Sequence, residues 1–152
     1  MSHQLAVIVH GAPAPQGSKV RMPNGAMLEA SKKVKPWRIA ISEATTLARQ
    51  LQSFTPDKDS PYSLAVVFTL PRPGHHWRTG KHSHQLKDSA PSSPATMPDL
   101  DKLLRSTLDG LADGGALSND SRVVSIQADK AFPGGHLDAL DEPGAVIVLR
   151  KA

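Results

Sequence analysis

The 152-residue chain has no cysteine, which excludes disulfides and thiolate metal sites outright. It also lacks any run near the ~18 apolar residues that a membrane helix needs. The N-terminal apolar stretch, Leu5–Val9, is short and has no basic lead-in. The expectation is therefore no signal peptide and a soluble, cytoplasmic protein. No Gly-rich phosphate-cradling loop and no nucleophile motif stands out, which weighs against nucleotidyl or glycosyl transfer. Acids are scarce until late in the chain. Residues 1–60 carry eight Lys/Arg against four Asp/Glu and residues 61–98 four against one, whereas residues 99–152 carry six against nine. A basic surface attracts and steers polyanions, and an acidic pocket within a basic protein is what a metal-dependent nuclease requires.

The length suits one domain, spanning residues 1–152, with a core that needs no staples. Leu5–His10 reads as a strand rich in β-branched residues, and Gly11–Ser18 as a Pro/Gly loop. Lys19–Met22 and Ala26–Glu29 flank Pro23-Asn24-Gly25, a hairpin signal with polar, basic arms. After a basic connector, Ser31–Lys35, a helix is predicted from Pro36 to Gln52, with Trp37, Ala40, Ile41, Ala44, Leu47, Ala48 and Leu51 on its buried face. Tyr62–Leu70 is the clearest strand and is predicted to be central, because its middle is apolar on both faces. Pro71–Pro98 holds five prolines and four histidines with little to build a core, and is expected to be a flexible basic insertion. A second helix is predicted over Asp99–Ala112, ended by Gly114-Gly115, and strands over Val123–Ala128 and Ala145–Leu149. The expected class is α/β in the α+β sense, a mixed sheet with two main helices packed on it.

The informative stretch is Asp99-Leu100-Asp101, Arg105, Asp109 and Asn119-Asp120. Mg²⁺ is a hard cation that takes carboxylate oxygens. Asp99 and Asp101 flank a helix entry, and Asp120 precedes a strand. If that strand lies beside the entry, three carboxylates converge, and a cation resolves their mutual repulsion. Arg105 lies four residues after Asp101, in position to hold it or to touch a phosphate. Capping and helix-dipole compensation are the alternative use for acids at a helix start.

This stretch resembles the conserved segment of the RusA-type Holliday junction resolvases. In that family a D-L-D-N-L run is followed by a Lys, then D-A-L, then an Asp pair before two valines, and the spacing matches here without a gap. The resemblance implies a RusA-like fold and a homodimeric endodeoxyribonuclease that resolves four-way junctions and other branched DNA by paired nicking, with Mg²⁺ or Mn²⁺ as cofactor. It assigns metal-ligand roles to Asp99, Asp101 and Asp120, and puts the family's catalytic Lys at Arg105. Arg keeps the charge but is planar and essentially never deprotonated. The family's Asp pair is Asn119-Asp120 in this chain, and Lys102 stands where the family has Asn. The Pro71–Pro98 stretch exceeds what the resemblance accounts for.

Lys19, Arg21, Lys32, Lys33, Lys35 and Arg38 bracket the hairpin and the first helix's entry and are candidates for DNA contact, as are Arg72, Arg78, Lys81 and Lys102. Trp37 belongs to the core by its spacing. His75, His76, His82 and His84 have irregular spacing and no cysteine, so zinc is disfavoured. Asp109 is expected to be exposed or to pair with Arg105, and strands Tyr62–Leu70 and Ala145–Leu149 are the candidate dimer surfaces. The competing reading is a non-catalytic binder of branched DNA whose chemistry faded with the Lys-to-Arg replacement.

Overall fold

The computed structural model describes residues 3–17, 19–21, 23–24, 27–29 and 32–152. The elements are β1 (Gln4–His10), β2 (Lys19–Arg21), β3 (Met27–Glu29), α1 (Val34–Leu51), β4 (Tyr62–Thr69), α2 (Leu100–Asp113), β5 (Val123–Ala131) and β6 (Gly144–Lys151). Four of the strands form a mixed sheet in the order β1-β6-β4-β5, and β2 pairs with β3 in a separate antiparallel hairpin. The predicted α+β class, with two helices on a mixed sheet, is what the chain adopts, and β4 is an inner strand as its apolar middle requires. Met22, Gly25, Ala26 and Ser31, parts of the predicted hairpin and connector, lie outside the described residues.

Alternation sets the layers. In β1, Leu5, Val7 and Val9 are buried while their neighbours face outward. Register aligns Leu64 with Leu149 and Val66 with Ile147, so one face of the sheet is continuously apolar. Both helices cover that face, and at ~1.5–3 kcal/mol for each fully buried large side chain this layer dominates the stability. On α1 the buried line is Val34, Trp37, Ile41, Thr45 and Ala48. Leu47 and Leu51, predicted to face the core, are 56% and 75% exposed. Six residues from Ile41 to Leu47 turn the helix far off that line, so the predicted face was too wide.

The two helices approach closely because α2 offers glycine. A β-carbon on Gly110 would lie 2.7 Å from Ile41, and one on Gly114 2.7 Å from Thr45. Arg38 Nη2 donates to Asp113 at 2.9 Å, and Arg49 Nη1 to the Gly114 carbonyl at 3.1 Å. Gly115, at φ +80°, supplies the left-handed residue that ends α2.

Topology then sets where the site lies. β4 and β5 are parallel, so the chain must return between them, and α2 is part of that return. The helix therefore starts near the carboxyl end of β5 and ends near its amino end. β4 and β6, proposed above as dimer surfaces, are the two inner strands and have no open edge. The outer strands are β1 and β5.

Candidate active site and nucleic-acid interface

Asp99 occupies the N-cap position of α2 with extended backbone (φ −70°, ψ 139°), yet its side chain makes no capping hydrogen bond. Its recorded charge contact is an ion pair at 3.9 Å with Lys102. Asp101 is exposed on the first turn. Neither carboxylate is consumed by the capping role that acids at a helix start ordinarily play. Asp120 opens a 3-10 turn, Asp120–Arg122, that leads into β5, and Asn119 caps this turn by accepting from the Ser121 amide at 2.9 Å.

The approach to Asp99 is fixed by a residue that sequence reading missed. Lys130, near the end of β5, donates from Nζ to the carbonyls of Thr96 at 2.8 Å and Pro98 at 3.0 Å. The signal was present in the strand period. Lys130 shares its face with Ile126 and Ala128, and a cation on that helix-facing side must find oxygens. Asp99 and Asp101 thus sit at the carboxyl end of β5, and Asp120 sits at its amino end. The separation follows from element length: α2 has 14 residues, about 21 Å of helix, and Val123 to Lys130 on β5 spans about 23 Å.

Within a single chain the three acids are thus divided between the two ends of β5. The strand after Asp120 does not begin beside the entry of α2. Among the described residues, no group of three or more His, Asp or Glu side chains is arranged to hold an ion.

Arg105 also differs from expectation. No ion pair joins it to Asp101 or Asp109 among the described residues. Its guanidinium lies over Gly17, where a β-carbon would come within 2.9 Å of Nη1. The segment around Gly17 is laced onto α2. The Gln16 amide donates to the Lys102 carbonyl at 3.1 Å, Ser106 Oγ donates to the Ala14 carbonyl at 2.7 Å, and Gln16 Nε2 donates to Asp109. Asp109 is also 3.9 Å from Arg38. The consequence is positional: the chain entering the basic hairpin is anchored on the helix that carries Asp101 and Arg105.

The basic candidates divide by what they already hold. Lys32, Lys33 and Lys35 are exposed at the start of α1, and Lys81 is exposed in the 71–98 segment. Lys19 and Arg21 lie on β2. Arg38 bridges the helices, as above. Arg78 pairs with Asp88 at 3.0 Å. Arg72 donates to the Pro91 carbonyl at 2.9 Å and stacks 4.2 Å above the Phe132 ring. The 71–98 segment also contains two short 3-10 turns, a bridge between Trp77 and Leu86, and His76 buried edge-on against Phe132. Arg72 Nη1 lies 3.2 Å from His76 Nδ1. Arg has no lone pair to accept with, so Nδ1 is the acceptor and this imidazole carries its proton on Nε2. Burial, then the charges of His75, Arg72 and Lys87, lower its pKa from the usual imidazole value.

The domain is thus of the α+β class, with a basic hairpin rooted on the helix whose start carries two carboxylates that do not cap it. The sequence matches the family described as endodeoxyribonuclease RusA over residues 10–144, nearly the whole chain, and the protein belongs to that family. It is accordingly an endodeoxyribonuclease, of a family that resolves Holliday junctions. A search among curated proteins gave no match. No helix among the described residues is long and apolar enough to cross a membrane.

Proposed function

We propose that the protein is a homodimeric, Mg²⁺-dependent resolvase that nicks four-way DNA junctions in pairs, and that each metal site is shared between two subunits. The observation that carries this reading is the placement of Asp99 and Asp101 at one end of β5 and Asp120 at the other. β5 is an outer strand whose Val124 and Ile126 are 65% and 44% exposed. Pairing of β5 with its copy about a two-fold axis runs the strands antiparallel. The start of one strand then meets the end of the other, bringing Asp120 toward the partner subunit's Asp99 and Asp101.

The donor chemistry fits a hard divalent cation, since all three groups are carboxylates and none of the three accepts a hydrogen bond among the described residues. A bound Mg²⁺ or Mn²⁺ supplies an activated water and charge stabilisation at a phosphodiester. The chain's own residues do the rest. Arg105 offers a fixed positive charge to the phosphate without moving a proton. The hairpin with Lys19 and Arg21, together with Lys32, Lys33 and Lys35, grips the backbone of the arms. Two sites related by a two-fold axis face two opposed strands of a symmetric junction.

Subunit mixing tests the shared site. Asp101→Asn and Asp120→Asn homodimers should each fail to cut a labelled junction in Mg²⁺. Co-refolded together, they should regain single nicks. In a mixed dimer with shared sites both lesions fall in one site and the other is intact; if each chain made its own site, both would stay damaged and mixing would restore nothing. A wild-type protein that shifts the junction on a gel but never cuts it would instead be a binding protein.

A further inference from the structure

Beside Asp99 lies a cavity of about 260 Å³ that none of these roles uses. Its walls include Pro13, Pro71, Pro94, Met97, Pro98 and Phe132, and the single charged residue in its lining is Lys33. Leu70, Pro71 and Phe132 directly follow the two parallel strands, so the cavity opens at the carboxyl ends of β4 and β5, where open sheets with parallel strands bind ligands. Pro98 precedes Asp99 in the chain, and Lys130 holds the carbonyls of Thr96 and Pro98. The cavity wall and the candidate ligand Asp99 are therefore one clamped piece. Met97, at the lip, is 82% exposed.

We propose that this cavity receives one unstacked nucleobase from the junction point, next to the phosphate that is cut. The inference rests on the nuclease reading above and adds a base subsite to it. Size and chemistry favour this occupant. The volume is below the ~300–1,000 Å³ of sites for drug-sized ligands, which suits a single base and not a pair. Proline, methionine and phenylalanine surfaces offer apolar contact to a π-face, and exposed Met and Pro side chains serve as wedges between base steps. The lining carries no carboxylate to repel a nucleotide, and Lys33 in it, with Lys32 exposed next to it, offers positive charge to the phosphate of an inserted nucleotide. Bases at a strand-exchange point have lost a stacking neighbour, which lowers the cost of taking one out.

The test places 2-aminopurine, a base whose fluorescence rises on unstacking, at successive positions around the exchange point of a synthetic four-way junction. Binding is measured without divalent cation, so that nothing is cut. One position should brighten by about twofold or more on binding wild-type protein, the response of a base leaving its stack. Thr96→Trp, which fills the mouth while leaving the Thr96 carbonyl for Lys130, should abolish that rise and slow cutting by about tenfold, as for one lost stacking contact. Met97→Ala changes an exposed side chain, endangers the fold little, and should reduce the rise. A junction that is bound with no position brightening, or a rise that persists in both variants, overturns the base subsite and leaves the nuclease reading standing. A junction that is not bound at all removes both.

Discussion

Lys130 spends two of its three ammonium hydrogens on the Thr96 and Pro98 carbonyls, and through them sets the backbone from which Asp99 projects. On the proposed reading of Asp99 as a metal ligand, Lys130 is a positioning residue. Groups that orient a metal ligand typically contribute ~10–100-fold to metal affinity or activity. Lys130→Met should therefore raise the Mg²⁺ concentration needed for half-maximal cutting by about tenfold, with junction affinity measured without metal unchanged. Lys130→Arg should recover part of the loss. A Mg²⁺ requirement unchanged in Lys130→Met would remove the residue from this role. His76 makes a different kind of contribution. Its folded pKa lies below the ordinary imidazole value of about 6.5, chiefly through burial. The unfolded chain then binds the proton more readily, so the contribution to stability is complete above about pH 6.5 and is lost as the pH falls below it. Acid should also break the Arg72–His76 contact, since a protonated Nδ1 cannot accept. Thermal melts between pH 7.5 and 5 should show a fall in Tm that is smaller in His76→Phe. Equal slopes in the two proteins would show that the destabilising proton binds elsewhere.

At the scale of elements, the helix crossing depends on the absence of side chains at Gly110 in α2 and at Gly114 just after it. Gly110→Ala drives a methyl group to within 2.7 Å of Ile41, and overpacking of this kind costs about 1–3 kcal/mol. Urea denaturation should show that loss, while cutting per folded molecule stays close to wild type. No change in stability would mean that the helices can slide apart freely. Much at this scale was legible in the sequence. The strands announced themselves by β-branched runs, the hairpin by Pro23-Asn24-Gly25, the end of α2 by Gly114-Gly115, and the acids by their spacing. What sequence could not give was pairing. Nothing in Ala145–Leu149 says that this last strand inserts between β1 and β4, and nothing in Val123–Ala128 says that β5 runs parallel to β4 at the sheet's edge. Those two facts decide that Asp120 is remote from Asp101 in its own chain. The contacts of Arg38 and Arg72 were hidden for a related reason, because a cation's sign is visible in sequence while its partner is not.

For the whole molecule, the open edge of β5 joins the charge pattern to the catalytic one. An outer strand with exposed valine and isoleucine is a liability unless something covers it, and in the proposed dimer a second copy would do so while completing both acid sites. A basic surface steers polyanions, and on the proposed reading the basic two thirds of the chain would draw DNA in, but steering alone cuts nothing. Val124→Glu separates the two effects. The side chain is 65% exposed, so the monomer should melt within a few degrees of wild type, since surface changes of this kind stay within about ±0.5 kcal/mol. In the dimer the same position would set a carboxylate into an apolar strand pairing, and sedimentation equilibrium should show monomers at micromolar concentration. Junction binding should persist, weakened and still steeply salt-dependent, because each phosphate neutralised contributes about −0.9 to the slope of log affinity against log salt. Cutting should disappear with the dimer, since no single subunit holds all three carboxylates at one end of β5. A Val124→Glu protein that sediments as a monomer and still cuts would mean that one chain can assemble the site alone, and the shared arrangement would then be wrong even though the fold and family stand.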